Sequence, residues 1–198
     1  MSQDEAAFDL YLDGEFFSNQ QCSELIAELA VAPEAPASVY GRGQAGAVDE
    51  RVRKVARLAP SPETIARVTQ RLGDARAAVA AHFGVVLTAC EDPQFLRYRE
   101  GDFFVAHQDG NTGMLLSDTE QSRKVSVVIF LSRQAEVPEP GTYGGGALVF
   151  TEWRPGRKGG RHALAAHAGL LVAFTADTTH EVTPVSWGDR YSIVSWYG

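Results

Sequence analysis

The apolar positions recur with helical spacing in two segments before Gly84. In the first segment, Ser18 to about Val31, the apolar positions are Cys22, Leu25, Ile26 and Leu29. They fall on one face of a helix, for which Ser18 is the expected N-cap. The second segment begins at Ser61-Pro62-Glu63, where a capping hydroxyl precedes a proline and an acid. This second helix is predicted to run to about Phe83.

The pattern changes after Gly84, where short β-rich runs separated by glycine, proline and aspartate continue to the end of the chain. Short strands with such turns indicate an antiparallel sandwich or barrel. An earlier run, Arg53 to Leu58, is also predicted as a strand. The predicted later strands are Gln94–Arg99, Phe103–His107, Val125–Ser132, Ala147–Glu152, Gly169–Thr175, His180–Pro184 and Arg190–Tyr197.

Two segments rich in glycine are predicted to be loops that close over a site. Residues 40–48 contain three glycines, and residues 133–146 contain four glycines and two prolines. The lid elements are expected at 40–48 and 133–143. The length of 198 residues suits a single domain. We expect residues 1–93 to form a helical and loop support, and residues 94–198 to form the β-rich core.

Charge and composition exclude some classes of partner. The net charge of −7 disfavours charge-driven binding to nucleic acid or to an anionic membrane surface. The two cysteines, Cys22 and Cys90, do not suggest a disulfide framework. The first residues are acidic and lack the features of a signal peptide. A cytoplasmic protein is therefore expected, with no nucleic-acid or membrane partner and an oligomeric state left open.

The main chemical signal is the sequence His107-Gln108-Asp109. Residues two apart on a strand point to the same face, so the imidazole and the carboxylate converge on one point. His180, which opens a later predicted strand, is the best candidate for a third ligand. Two histidines and one carboxylate form the facial triad typical of non-haem iron(II) oxygenases. Taken alone, however, His-x-Asp is equally compatible with a hydrogen-bonded surface pair.

A candidate carboxylate receptor follows His180 along the chain. Arg190 lies on the next predicted strand, and Ser192, two residues later, is on the same face. The planar guanidinium can bind a carboxylate through two hydrogen bonds, and the serine hydroxyl can add a donor. A metal facing a carboxylate receptor fits a dicarboxylate with a chelating 2-oxo acid end.

These motifs carry a resemblance to a known family. Residues 98–109, YREGDFFVAHQD, resemble the first metal motif of the prolyl-4-hydroxylase-like 2-oxoglutarate oxygenases. Residues 180–185, HEVTPV, and 190–197, RYSIVSWY, resemble the second motif. Residues 124–132 and 144–150 resemble the central strand and the glycine turn that follows it. The similarity spans about residues 94 to 198, with the motifs in the family's order.

The resemblance implies a fold and a set of roles. The fold is a distorted double-stranded β-helix, a cupin-like jelly roll with N-terminal supporting helices. His107, Asp109 and His180 hold Fe(II), and Arg190 binds the far carboxylate of 2-oxoglutarate. Tyr98 reaches this cosubstrate, and Trp196 lines the substrate side or, alternatively, is a core aromatic. Phe130 replaces a tyrosine found in some prolyl hydroxylases, so Ser192 or Tyr98 is expected to supply the missing donor.

The implied activity is hydroxylation of a substrate C–H bond, coupled to decarboxylation of 2-oxoglutarate to succinate. It requires Fe(II), 2-oxoglutarate and O₂, with ascorbate as an optional reductant. A prolyl residue of a protein or peptide is the expected substrate, and a free amino acid or small metabolite is the alternative. Arg53 is a candidate substrate contact, although a surface arginine is an equally simple interpretation. A sensor that binds iron and 2-oxoglutarate but turns over slowly, or not at all, also fits these residues.

Overall fold

The computed structural model describes residues 8–37, 49–110, 122–152 and 160–198. They form helices α1 (Asn19–Leu29) and α2 (Pro62–Phe83), neither of which is long and apolar enough to cross a membrane. The described strands are β1 (Tyr11–Asp13), β2 (Glu34–Pro36), β3 (Arg53–Lys54), β4 (Ala56–Leu58), β5 (Gln94–Tyr98), β6 (Phe103–His107), β7 (Val125–Phe130), β8 (Arg133–Gln134), β9 (Thr142–Gly145), β10 (Leu148–Thr151), β11 (Arg161–Ala163), β12 (Leu171–Thr175), β13 (His180–Val182), β14 (Val185–Trp187) and β15 (Arg190–Tyr197).

Both predicted helices are present and are capped as the sequence indicates. The Ser18 hydroxyl accepts a hydrogen bond from the Gln21 backbone N–H, and the Gln21 side chain accepts one from the Ser18 N–H. This reciprocal capping box satisfies two backbone donors at the start of α1. Ser61 caps α2, which ends at Gly84 in the left-handed conformation, with φ of 63°.

The strands form two large antiparallel sheets and one small sheet. The seven-stranded sheet has the order β1-β12-β7-β15-β5-β4-β2, and the five-stranded sheet has the order β11-β10-β13-β6-β3. The small sheet joins β14, β9 and β8. Two antiparallel sheets supported by two helices form the mainly β architecture that the sequence predicts.

Alternation along the strands of the large sheet separates two hydrophobic cores. On β7, Val125, Val127 and Ile129 pack towards the helices, in a cluster that also contains Leu25 and Leu72. The intervening Val128 and Phe130 pack between the two large sheets, together with Leu148 and Phe150 of β10. Period-two alternation therefore directs the even-numbered residues of β7 and β15 towards the space between the sheets. The candidate site lies in this space.

Two segments contain strands that the sequence pattern did not predict. Residues 32–37 hold β2, although two prolines fall in this stretch. β2 pairs only with β4 and forms the edge of the sheet, which is where proline is tolerated. Residues 133–146 hold β8 and β9, whose pairing with each other and with β14 is not visible in a local pattern. The other predicted loop, residues 40–48, lies outside the described residues.

Gly169 is required where the N-terminal segment crosses the large sheet. Its φ is +86°, and an added Cβ would overlap the carbonyl oxygen of Phe17. The Phe17 N–H donates to the Gly169 carbonyl at 3.2 Å, so neither backbone can withdraw without losing this bond. We predict that Gly169→Ala lowers the free energy of unfolding by at least about 2 kcal/mol, because left-handed strain and overpacking each cost about 1–3 kcal/mol.

Gly73 provides the matched control for this prediction. It lies inside α2, and an added Cβ meets no atom within 4 Å. Gly73→Ala should therefore leave stability unchanged or raise it by up to about 1 kcal/mol. Urea unfolding of the two variants measures the difference, and equal midpoints would contradict this account of Gly169.

Candidate metal centre

Strand pairing brings His107, Asp109 and His180 together. His107 ends β6 and His180 begins β13, and the two residues are paired across the ladder. Asp109 follows directly after β6, with its carboxylate oxygens 3.4 Å from His107 Nε2 and 3.5 Å from His180 Nε2. The three potential ligand atoms all lie within 4.8 Å of one another. Within the described part of the chain, no other group of histidine, cysteine and acidic side chains has this geometry.

Hydrogen bonds to the backbone orient both imidazole rings. His107 Nδ1 lies 2.8 Å from the Val105 carbonyl, and His180 Nδ1 lies 2.9 Å from the Thr178 carbonyl. A carbonyl oxygen can only accept, so Nδ1 is the donor in each ring. This tautomer leaves Nε2 as the atom with a free lone pair, directed towards Asp109. The sequence motif thus supplies both ligands in the form that binds a metal.

The environment holds His180 and Asp109 in metal-binding protonation states. Burial, followed by the proximity of His107, lowers the pKa of His180 to about 4, so this ring is neutral at neutral pH. Burial alone would raise the pKa of Asp109. The neighbouring His180 and His107 outweigh it and hold the pKa of that carboxyl well below its usual range. Neutral imidazoles and an ionised carboxylate are the forms that coordinate a divalent cation.

The turn that carries Asp109 is fixed against the turn before His180. The backbone N–H groups of Asp109 and Gly110 both donate to the Ala176 carbonyl, at 2.9 and 3.0 Å. The Gln108 side-chain amide donates to the Thr179 hydroxyl at 3.2 Å. These contacts hold the two turns together, so the ligand positions do not depend on a metal to assemble them.

Ser126 is a functional candidate that sequence reasoning missed. Its hydroxyl donates to Asp109 Oδ2 at 2.7 Å, from strand β7 of the opposite large sheet. The residue is buried, and it is the one polar side chain in the strand sequence VSVVIF. A buried hydroxyl on an otherwise apolar strand needs a partner, and this is the signal that could have identified it.

Removing this hydroxyl should weaken metal binding without removing a ligand. We predict that Ser126→Ala weakens Fe(II) affinity about 10- to 100-fold, the usual effect of losing a hydrogen bond that orients a ligand. Anaerobic Fe(II) titration measures the affinity. Ser132→Ala is the matched control, because the buried Ser132 hydroxyl accepts only from the Tyr191 N–H. Equal affinities of the two variants would show that Ser126 does not orient Asp109.

Arg123 is a second candidate that was not predicted. Its guanidinium lies 3.8 Å from the centre of the Trp196 ring, and its Nη2 pairs with Glu91 at 2.8 Å. Its Nη1 also lies 3.4 Å from the Asp109 carbonyl oxygen. Trp196 is only 7% exposed, and its indole N–H contributes to the low pKa of the Asp109 carboxyl. Arg123 therefore holds Trp196 against the metal-binding turn.

Arg190 is a buried guanidinium with unused donors. The residue is 1% exposed, and its Cζ lies 5.1 Å from the ring centres of both Tyr98 and Phe130. Its Nη1 donates a hydrogen bond to the Ser192 hydroxyl at 2.8 Å. Its Nε and Nη2 are buried without a hydrogen-bond partner. Among the described residues no carboxylate pairs with it. A buried, uncompensated charge is costly, so this arrangement is suited to a carboxylate ligand.

Two hydroxyl groups surround the Arg190 guanidinium. The Ser192 hydroxyl accepts from Arg190, so its own hydrogen remains available to a bound carboxylate, as expected for the donor that Phe130 lacks. The Tyr143 side chain is fully buried beside Arg190, and burial raises the pKa of its hydroxyl, which stays protonated. Tyr143 was not predicted, because it lies in the segment that was expected to be a loop.

All the residues predicted for the site line one cavity of about 180 Å³ between the two large sheets. Its walls include Arg53 and Trp196, which were predicted to contact substrate, as well as the metal-binding and carboxylate-binding groups described above. None of the residues 133–143 lines this cavity, although Tyr143 lies beside Arg190 in its wall. That this segment closes over the site stays a prediction.

Comparisons of sequence identify relatives. Residues 93–198 match the family model of the 2OG-Fe(II) oxygenase superfamily. A PKHD-type hydroxylase from Paracoccus denitrificans is 34% identical over 105 residues, which are 52% of this chain and 41% of that protein. One from Janthinobacterium is 29% identical over 163 residues, which are 80% of this chain and 66% of that protein. The chain therefore matches less than two thirds of the length of these relatives.

Comparisons of structure identify the fold. A prolyl-4-hydroxylase from Pseudomonas putida aligns with a TM-score of 0.70 and 23% identity, covering 98% of this chain and 94% of that one. A prolyl hydroxylase from Trichoplax adhaerens aligns with a TM-score of 0.64 and 16% identity, covering 97% of this chain and 84% of that one. That protein was solved with a peptide fragment of the oxygen degradation domain of hypoxia inducible factor. At these identities the likeness establishes the double-stranded β-helix alone.

Proposed function

The chain belongs to the 2OG-Fe(II) oxygenase superfamily, and from this premise we propose that it hydroxylates a prolyl residue of a protein or peptide. The family implies Fe(II) and 2-oxoglutarate as the cofactor and the cosubstrate. The observation that carries the proposal is that a His-Asp-His group and a buried arginine with unused donors line the same cavity.

The residues of this chain fit both groups. His107 and His180 present their Nε2 atoms, and Asp109 presents its carboxylate, which is the donor set of a non-haem Fe(II) site with open positions. When bound, the metal would let O₂ act as the oxidant and 2-oxoglutarate as the two-electron reductant, so that one oxygen atom enters the substrate C–H bond and the other enters succinate, which is released with CO₂. Arg190 and Ser192 would bind the far carboxylate of 2-oxoglutarate, which leaves its 2-oxo acid end for the metal.

The remaining residues of the cavity exclude water and position the substrate. Apolar side chains line the walls between the two polar ends, among them Leu96, Val128, Leu148 and Val194. Trp196, held by Arg123, offers a flat aromatic surface beside the metal ligands. Such a surface suits a pyrrolidine ring, and this supports a prolyl substrate.

A free amino acid or small metabolite is the alternative substrate class, because the same cavity would accept the ring without the rest of a peptide. Prolyl hydroxylation has support from the relatives, since the aligned Pseudomonas putida and Trichoplax adhaerens proteins are both named as prolyl hydroxylases. A sensor that binds Fe(II) and 2-oxoglutarate without rapid turnover needs the same ligands. The rate of succinate formation distinguishes an enzyme from such a sensor.

The test supplies the anaerobically purified chain with Fe(II), 2-oxoglutarate and O₂, with proline-containing peptides or with free L-proline. Succinate is quantified, and the peptides are examined by mass spectrometry for a gain of one oxygen. We expect succinate that depends on His107, and a one-oxygen gain on a prolyl residue. A rate no higher than that of His107→Ala under any condition would exclude the enzymatic function. Oxidation of free L-proline alone would exclude the peptide substrate.

A further inference from the structure

One side of the cavity is closed where the chain crosses between the two large sheets. Strand β3 is the edge of the five-stranded sheet, and β4 lies next to the edge strand of the seven-stranded sheet. A single residue, Val55, separates these two strands. Arg53 on β3 and Arg57 on β4 therefore lie on opposite sides of the crossing, and both side chains line the cavity.

The sheet register explains why these two arginines share the cavity. Arg57 pairs with Leu96 of β5, and Leu96 pairs with Ser192 of β15, so Arg57 lies on the sheet face that carries the 2-oxoglutarate receptor. Arg53 pairs with Phe104, and its guanidinium lies 4.7 Å from the centre of that ring. Phe104 in turn stacks on His107 at 3.5 Å. The Phe104 ring therefore lies between the Arg53 guanidinium and the metal ligand His107.

The charges of the cavity do not balance once the expected groups are bound. Fe(II), dianionic 2-oxoglutarate, Asp109 and Arg190 together carry no net charge. Of the other charged residues in the wall, Arg123 pairs with Glu91. No carboxylate of the described residues pairs with Arg57. Arg57 therefore adds a positive charge to the substrate side of the cavity, although the chain as a whole carries −7.

We propose that Arg57 forms a carboxylate-binding subsite for the primary substrate, in the part of the cavity that Arg53 also lines. The molecule that is oxidised then carries a carboxylate near the target carbon, supplied either by an aspartate or glutamate beside the prolyl residue or by the α-carboxylate of a free amino acid. The planar guanidinium suits a carboxylate, and the acidic surface of the chain disfavours long polyanions. This inference rests on the proposed function and specifies its substrate class.

Binding without turnover tests the subsite. The chain is loaded with Mn(II) and 2-oxoglutarate, and the affinity for two labelled peptides is measured by fluorescence anisotropy. The peptides are identical except that glutamates flank the proline in one and glutamines flank it in the other. We expect the glutamate peptide to bind about three- to tenfold more tightly at low salt, as for partly exposed ion pairs, and the difference to shrink at high salt.

Variants of Arg57 and Arg51 test which residue causes the preference for the glutamate peptide. Arg57→Gln should remove most of the preference, whereas Arg51→Gln should retain it, because Arg51 is exposed and pairs with Asp49 outside the cavity. Arg57→Glu should prefer a lysine peptide to the glutamate peptide, which shows that a variant with altered preference is folded. Equal binding of the glutamate and glutamine peptides to the wild type, or an unchanged preference in Arg57→Gln, would overturn the subsite.

Two further measurements are needed. One distinguishes the two sources of the carboxylate, and the other distinguishes failure of the subsite from failure of the proposed function. Free L-proline is added as a competitor, and competition that Arg57→Gln weakens would assign the carboxylate to a free amino acid. Failure of the proposed function has a different signature. In that case wild-type protein with Fe(II), 2-oxoglutarate and O₂ forms no more succinate than His107→Ala. Normal succinate formation without a charge preference would reject the subsite alone.

Discussion

Replacing His180 with alanine is expected to abolish stoichiometric Fe(II) binding and to lower the rate of succinate formation by more than about a hundredfold. The loss of a direct ligand should exceed the 10- to 100-fold effect of losing a group that only orients a ligand. His180 is buried, and its Nε2 lies 3.5 Å from Asp109 Oδ2, so no solvent-exposed side chain can take its place. Iron content per chain and succinate release measure the two effects.

His162→Ala is the matched control. His162 lies on β11, which pairs with β10, and stacks on Phe8 rather than on the metal-binding group. It should retain full iron content and full activity. Iron content at the wild-type level in His180→Ala, confirmed to be folded by its unfolding transition, would remove His180 from the metal site.

Replacing Arg190 with alanine is expected to have the second large effect, a weaker binding of 2-oxoglutarate. Truncating one partner of a buried, hydrogen-bonded charge pair costs about 2–5 kcal/mol, so the dissociation constant of 2-oxoglutarate should rise at least about thirtyfold. Fe(II) affinity should remain close to the wild-type value, because Arg190 is not among the metal-binding side chains. Calorimetric titration with Fe(II) and, separately, with 2-oxoglutarate measures the two affinities independently.

Arg190→Lys distinguishes geometry from charge. A lysine keeps the positive charge but lacks the planar fork, so its affinity for 2-oxoglutarate should lie between those of the wild type and Arg190→Ala. Retained Fe(II) binding serves as the test of folding for both variants. Tight 2-oxoglutarate binding by Arg190→Ala would assign the cosubstrate carboxylate to another group, with the Tyr143 hydroxyl as the next candidate.

The core of the site could be predicted because it follows from strand alternation and motif order. The spacing of Arg190 and Ser192 places both on one face of β15, and the order of the motifs gave the resemblance. The spacing of His107 and Asp109 predicted that their side chains converge, although Asp109 lies in the turn after β6 and not on the strand. The structure brings all four together with His180 in one cavity. Arg53 and Trp196 line the same cavity, and their contact with substrate stays a prediction.

The groups that support the site could not be predicted, because they depend on register between distant strands. Ser126 reaches Asp109 across the space between the two large sheets, because β7 belongs to one sheet and Asp109 follows a strand of the other. Arg123 reaches Trp196 through the pairing of β7 and β15. No local periodicity encodes either contact.

The short strands were missed for a related reason. Strands of two or three residues, such as β2, β8 and β14, are too short for a pattern of alternation to be recognised. Their positions are fixed by pairing with β4 and β9, which lie far away in the sequence for β2 and β14. The strands β8 and β9 in residues 133–146 were missed because glycine and proline content indicates turns, but does not reveal strand pairing.

The most direct measurement of the central claim is an anaerobic calorimetric titration of 2-oxoglutarate into the chain, with and without Fe(II). If His107, Asp109 and His180 hold iron opposite Arg190, one 2-oxoglutarate should bind per chain. Its affinity should fall sharply when Fe(II) is omitted or when Asp109 is replaced by alanine. Binding of the same affinity and stoichiometry in all three samples would contradict a shared metal and carboxylate site in this cavity.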